Sequence, residues 1–365
     1  MDRDKMKSGP NEIGKMVQDA FGLHQLGQLE KAETIYRQIL EREATNFAAL
    51  QLLGVLRGQQ GKQAEAITLI EAALKIQPGD VGVNSNYGLA LAAAGRHRDS
   101  LAAYDRALAI NPGFFQAHYN RGIALARLKR FEEAVMSFDH GLALRSESVE
   151  CFYNKALALT ALNRLESALD SYAKALARNP LLAEAHHNYG NVLRDLGRFG
   201  EALDSYDRAL ALAPRNFQIL YNRGITLADL KRSEDAIASY NASLAINPEF
   251  AEAWFNRGHS QMALGRFTEA LTSFDRGLAL RSDDVKTLGN KAATLVQLRR
   301  PYEALACCSQ ALVFDPDYVP ALITRGMLLR EANCRIGLAR SVRLANQPSA
   351  RAKWVARRRC PPPRN

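Results

Sequence analysis

A chain of 365 residues would ordinarily divide into two or three domains, and 47% hydrophobic with 24% charged residues excludes a disordered polymer. The net charge of +10 is local: residues 333–365 hold eight Arg, one Lys and no acid, leaving 39 basic against 38 acidic residues elsewhere. That near-neutral body lacks the basic stripe of a nucleic-acid groove. No apolar run reaches the ~20 residues of a membrane span, and five scattered cysteines without a Cys-x-x-Cys spacing suit a reducing cytosol.

Residues 1–12 form a short leader without the apolar core of a secretory signal, so the cytoplasm is the expected location. From Ile13 the chain repeats a 34-residue pattern. Full copies start at Ile13, Phe47, Val81, Phe115, Val149, Ala183, Phe217, Ala251 and Val285, and a partial tenth starts at Val319. Numbering each copy 1 to 34, position 8 accepts only the smallest side chains: Ala20, Gly54, Gly88, Gly122, Ala156, Gly190, Gly224, Gly258, Ala292 and Gly326. Position 20 is equally small, from Ala32 to Ala304.

The copy Ala251–Asp284 shows the expected local structure. Trp254, Gly258, Met262 and Leu264 belong to a first helix, which Gly265 at position 15 ends by taking a positive φ. Phe267, Ala270, Leu271, Phe274, Gly277 and Leu278 recur at spacings of three and four and mark one face of a second helix. Proline at position 32, as at Pro78, Pro112, Pro180, Pro214, Pro248 and Pro316, closes the copy. Small residues at 8, 20 and 27 let helices approach closely, and an aromatic at 24 fills the space beside them. Two longer strings recur 136 residues apart, SFDHGLALRS at 137–146 with SFDRGLALRS at 273–282, and LAINP at 108–112 with 244–248. They mark a duplicated block of four copies.

With Trp254 at position 4, Gly/Ala at 8, Ala at 20, mostly Tyr/Phe at 24 and often Pro at 32, the chain resembles the tetratricopeptide repeat (TPR) family over residues 13–332. It departs in having Leu at position 11 and often Arg or Lys at position 7. The resemblance implies an all-α fold: a right-handed TPR superhelix, or α-solenoid, of about nine and a half helix-turn-helix units. It implies a protein-protein interaction scaffold whose first helices line a concave groove, and a non-catalytic protein with no cofactor.

Position 6 is asparagine in seven consecutive copies: Asn86, Asn120, Asn154, Asn188, Asn222, Asn256 and Asn290. At about 100° per residue it lies roughly 160° around the helix from position 8, away from the close helix seam. Asparagine inside a helix costs several tenths of a kcal/mol relative to alanine, so the column needs a reason. Copying by duplication is one, and a bond to the neighbouring copy is another. The functional reason is that a carboxamide both donates and accepts, so it can grip a peptide backbone whatever side chains that peptide carries. First helices ~10 Å apart match about three residues of extended chain, so the column could track roughly 15–20 residues. Position 5 adds Tyr119, Tyr153, His187, Tyr221 and Phe255, an aromatic edge that either contacts ligand side chains or packs adjacent first helices. The expected site is therefore the seven asparagines with Tyr119, Tyr153, Tyr221 and Phe255, and the expected partners are extended segments of other proteins.

The asparagine column also resembles that of the TPR half of O-GlcNAc transferases, including the SPINDLY-like branch. The alternative function is accordingly the substrate-recognition portion of a truncated glycosyltransferase of that kind. No catalytic motif is present. Gly61-Lys62 lacks the upstream glycine of a phosphate loop, since Leu56 stands there. His186 and His187 are expected to pack rather than bind metal, and the Asn241-Ala-Ser sequon falls within a second helix. The carboxylate clamp that some family members use for acidic tails needs Lys at positions 2 and 5, where this chain has mostly Glu, Gln and aromatics. Residues 333–365 lose the period in mid-copy. They read either as a polybasic tail that could touch acidic partners, nucleic acid or anionic lipid, or as the product of a frame change that truncates a longer protein.

Overall fold

A computed structural model describes the backbone of residues 10–345 and the side chains of residues 12–332. The expectations for residues 1–9 and 346–365 lie outside the described residues. All described elements are α-helices, in two compact units, residues 1–196 and 197–365.

The first unit holds α1 (Pro10–Gln25), α2 (Leu29–Arg42), α3 (Phe47–Gln59), α4 (Gln63–Ile76), α5 (Val81–Ala93), α6 (His97–Ile110), α7 (Phe115–Arg127), α8 (Phe131–Leu144), α9 (Val149–Ala161), α10 (Leu165–Arg178) and α11 (Ala183–Asp195). The second holds α12 (Phe199–Leu212), α13 (Phe217–Asp229), α14 (Ser233–Ile246), α15 (Ala251–Ala263), α16 (Phe267–Leu280), α17 (Val285–Gln297), α18 (Pro301–Phe314) and α19 (Val319–Ala345). Within each unit every helix packs on the next in sequence, and the first helices of successive copies also touch. α1 starts at Pro10, inside the stretch read as leader. α19 runs unbroken to Ala345, past the point where the first helix of every other copy has ended.

The small-residue columns do what their size implies. Ala32, Ala66, Ser100, Ala134, Ala168, Ala202, Ala236, Ala270 and Ala304 at position 20 are all fully buried. A Cβ added at Gly122 would lie 2.5 Å from Phe138, and one at Gly224 would lie 2.6 Å from Tyr240, so the ring at position 24 rests directly on the glycine of its own copy. Tyr36, Tyr104, Phe138, Tyr172, Tyr206, Tyr240 and Phe274 are almost wholly buried. Burying such a ring stabilises by about 2–3 kcal/mol in each copy that has one.

Both ends of the first helix have local causes. Position 15 is left-handed in nine copies: Gly27, Gly61, Gly95, Gly197 and Gly265, but also Lys129, Asn163, Lys231 and Arg299. Position 34 caps the next helix where it is polar, as when Asp80 accepts from the Val83 N–H at 2.8 Å and Asp284 from that of Thr287 at 2.8 Å. Where it is Phe114, Leu182 or Phe250, an asparagine at position 31 closes the turn instead. Asn111, Asn179 and Asn247 accept from the amide two residues on, at 2.9, 3.1 and 3.2 Å.

Candidate functional site

A helix surface is usable only if neighbouring copies hold it in register, and two sets of polar contacts do so. The first runs from position 7 to position 25 of the preceding copy. Arg121 pairs with Asp105 at 2.7 Å, Lys155 with Asp139 at 2.5 Å, Arg223 with Asp207 at 2.8 Å and Lys291 with Asp275 at 2.7 Å. Arg257 finds Asn241 at 2.9 Å, and Tyr87 hydrogen-bonds Glu71. Where position 25 is Ala173, position 7 is Tyr189, so the two columns change together. The second set runs from position 4 to the proline carbonyl that ends the previous copy. Asn84 Nδ2 donates to Pro78 O at 2.8 Å, His118 Nε2 lies 2.8 Å from Pro112 O, His186 Nε2 lies 3.0 Å from Pro180 O, and Trp254 Nε1 donates to Pro248 O at 2.8 Å. His186 is thus a buried packing residue with a structural hydrogen bond. Neither set was read from the sequence, although both recur at constant offsets in it.

All seven asparagines of position 6 are half-buried. Asn154 Nδ2 donates to the Glu150 carbonyl at 2.9 Å and to the Tyr119 hydroxyl at 3.4 Å. Asn188 donates to Tyr153 at 3.1 Å and Asn256 to Tyr221 at 3.0 Å, again across one copy boundary. Asn290 Nδ2 sits 2.6 Å from His259 Nε2. Asn86 and Asn120 follow copies with Gln51 and Ser85 at position 5, and among the described residues they make no side-chain hydrogen bond. The bond to the neighbouring copy that the sequence left open is therefore present at four positions and missing at two.

The aromatic edge divides. Tyr119, Tyr153 and Tyr221 lean on the position-24 rings Phe138, Tyr172 and Tyr240 of their own copies, with centroids 6.3, 6.0 and 6.0 Å apart. Desolvation raises the Tyr119 and Tyr153 phenols above their usual range, so both stay hydroxyls at neutral pH. Phe255 departs from the expectation of a ligand contact. It is 5% exposed, because Gly277 on α16 has no side chain to hold it off and the Arg281 guanidinium lies 5.0 Å above its ring. The sequence gives no warning of this beyond the glycine at position 27.

Asn241 lies within α14 and is engaged by Arg257; Gly61, with φ of 76°, is simply the turn after α3. Cys151, Cys307 and Cys308 are free and buried, and burial raises each thiol above its ordinary range. Among the described residues, no cluster of three or more His, Cys, Asp or Glu side chains could hold a metal ion, and no helix is long and apolar enough to cross a membrane.

A sequence profile of the tetratricopeptide repeat matches residues 23–81, 88–148, 153–217, 190–249, 221–285 and 255–319. No curated protein sequence gives a significant match. Solved structures share the fold. The C-terminal part of a TPR repeat-containing protein from Cytophaga hutchinsonii is 14% identical, with a TM-score of 0.58, over 65% of this chain and 98% of its own. A tetratricopeptide repeat protein from Parabacteroides merdae is 17% identical, with a TM-score of 0.51, over 70% and 98%. YrrB, described as a TPR protein with an unusual peptide-binding site, is 26% identical with a TM-score of 0.47 over 53% and 99%.

Proposed function

The chain belongs to the tetratricopeptide repeat family, and on that premise we propose that it is a non-catalytic scaffold holding extended segments of partner proteins along its first helices. The observation that carries this reading is the column of half-exposed amides with unused hydrogen-bonding capacity. Asn154, Asn188 and Asn256 spend Nδ2 on the neighbouring copy and, among the described residues, leave Oδ1 without a donor, while both ends of the Asn86 and Asn120 amides are unspent there. The bond to tyrosine fixes the amide rotamer before a ligand arrives, which lowers the entropy lost on binding. A fixed Oδ1 can accept a peptide N–H, and a free amide can both donate and accept. Tyr119, Tyr153 and Tyr221 contribute by holding the amides, and their exposed edges contact ligand side chains. Phe255 contributes packing alone.

The test is a peptide array probed with the purified protein, followed by titration of the best binder in its normal form and with two adjacent backbone amides N-methylated. N-methylation is expected to weaken binding at least tenfold, and so is Asn86→Ala with Asn120→Ala and Asn154→Ala, at unchanged helicity by circular dichroism. Affinity indifferent to both changes removes the column from the mechanism. The asparagine column also carries a narrower version, in which the array selects substrates for an O-GlcNAc-transferase-like enzyme. In that case the selected peptides share a Ser or Thr acceptor, and selection without one counts against it.

A further inference from the structure

The duplicated block of four copies contains a reversal of charge at one boundary between copies. Position 16 is arginine in the seven copies from Val81 to Val285. At three of the boundaries it forms, position 18 of the preceding copy is glutamate: Glu132, Glu166 and Glu234. At the third of these, Arg266 reaches across and takes the Glu234 carboxylate with both terminal nitrogens, at 3.0 and 2.5 Å. The same boundary 136 residues earlier sets Arg130 opposite Arg98, a second cation in place of the carboxylate. Arg98, Arg121 and Arg130 line one open groove of about 630 Å³ between α6 and α7. Leu101 and Leu128 share that lining, and Asp105 is its single acid. The equivalent residues 136 positions on are Arg257, Ile237 and Leu264, with Asn241 for Asp105. The frame of the groove is thus repeated, and position 18 changes sign.

The carboxylates already present leave the groove electropositive. Asp105 accepts from Arg121 Nε at 2.7 Å, and Arg121 Nη1 donates to the Ser137 hydroxyl at 2.7 Å. Arg130, with no carboxylate across the boundary, pairs with Glu133 of its own copy, both contacts at 2.6 Å. That pair is exposed on both sides, and exposed ion pairs are weak enough to be exchanged for another carboxylate. Arg266 shows the exchange: it serves Glu234, while its own position-19 glutamate, Glu269, accepts from the Gln261 amide. Arg98 is exposed and, among the described residues, makes no hydrogen bond or ion pair. Two guanidiniums in one groove repel, and an oxyanion between them accepts from both.

We propose that this groove binds an acidic segment of a partner protein, with a Glu or Asp carboxylate seated between Arg98 and Arg130. It takes the place that Glu234 holds in the later block, and an aliphatic neighbour on the same segment rests on Leu101 and Leu128. Charge complementarity favours this occupant, three arginines standing against one aspartate. The internal pair supplies the geometry, a carboxylate gripped by a position-16 arginine through two nitrogens. None of these residues belongs to the asparagine column, so the site stands apart from the peptide-backbone reading.

The probe is a fluorescein-labelled peptide, Gly-Leu-Glu-Glu-Leu-Gly, titrated against the full chain by fluorescence anisotropy at about 50 mM salt, where surface charges are little screened. The same peptide with Gln for both Glu is expected to bind roughly tenfold more weakly, the ratio that one lost charge-assisted hydrogen bond gives. Arg98→Glu, which installs the residue of the later block, should weaken the glutamate peptide by a similar factor. It should melt no lower than the parent, because Arg130 then gains the partner that Arg266 has. Arg276→Glu makes the same charge change on the exposed side of α16 and should alter binding by less than about twofold. Asn86→Ala with Asn120→Ala and Asn154→Ala should leave this peptide's affinity unchanged, so either site can fail without the other. No binding by the parent, equal binding of the glutamine peptide, or equal losses in Arg98→Glu and Arg276→Glu overturns the proposal. So does tighter binding of a peptide with one phosphoserine for the two glutamates, which assigns the groove to phosphate.

Discussion

The copies starting at Ile13 and Phe47 carry Gln18 and Leu52 at position 6, where the seven that follow carry asparagine. At position 11 the copy at Phe47 has Arg57, where six of those seven have leucine. Yet the small residue at position 8 meets the side chain at position 24 in both regions: Ala20 and Tyr36 are both fully buried, Gly54 lies against Ile70, and Gly88 lies against Tyr104. Arg57 is 3% exposed and bonds Glu33 of the preceding copy at 2.5 Å, pairs with Glu65 at 3.0 Å and bonds Gln60 at 2.7 Å. The later copy at Ala251 meets the same exception differently: Gln261 at position 11 accepts from the Ser273 hydroxyl at 2.5 Å. The contrast separates two kinds of column. Those at 8 and 20 stay small because helix-to-helix distance fixes them, while those at 6 and 11 vary from region to region without disturbing the stack.

The largest expected effect comes from Arg57. Removing both carboxylate partners, Glu33→Ala with Glu65→Ala, leaves a buried charge unneutralised and should cost about 3 kcal/mol. Arg57→Leu, which restores the residue of the later copies, should be near neutral. Urea titrations of the two variants measure the contrast, and equal losses would mean that the charge is not what the site holds. Next is Gly122→Ala, which forces Phe138 away from its glycine and should cost about 2 kcal/mol. Gly326→Ala at the same repeat position meets nothing within 4 Å and should be neutral or stabilising. Comparable melting losses in these two variants would break the distinction between filled and open positions.

Smaller effects test the turns and the register contacts. Lys129→Gly, Lys231→Gly and Arg299→Gly relieve left-handed backbone at φ of 59°, 62° and 56° and should each stabilise by about 1 kcal/mol, while Gly265→Ala should destabilise by a similar amount. Tyr153→Phe removes the acceptor of the Asn188 amide and should cost only about 0.5–1 kcal/mol, while weakening peptide capture. Burial lowers the pKa of His118 and of His187, so the neutral rings are the ones that the fold favours. Their contribution is intact above the unfolded value near 6.5 and is lost as pH falls through the lower folded values. The melting temperature should therefore drop between pH 7 and pH 5, and less so in His118→Asn with His187→Phe.

The columns differ in how far spacing alone reveals them. Gly265 as a helix stop, proline as the divider and the small residues at 8 and 20 were readable, because helix geometry turns spacing directly into a face. Lys129 and Arg299 as left-handed residues were not, since nothing in their chemistry favours that conformation. Position 15 imposes it through the turn. The burial of Phe255 was equally hidden, because it depends on Gly277 twenty-two residues away and on the helix that carries it.

The sequence by itself determined the repeat length, the helix pairs, the packed columns and the asparagine column, because a periodic chain meets the same local problem every 34 residues and answers it with the same side-chain sizes. Only the tertiary structure decided which amides are spent on a neighbouring tyrosine, which side chains meet position 25, and that Phe255 is buried. Those outcomes turn on angstrom-scale distances between helices, and spacing along a chain does not encode them.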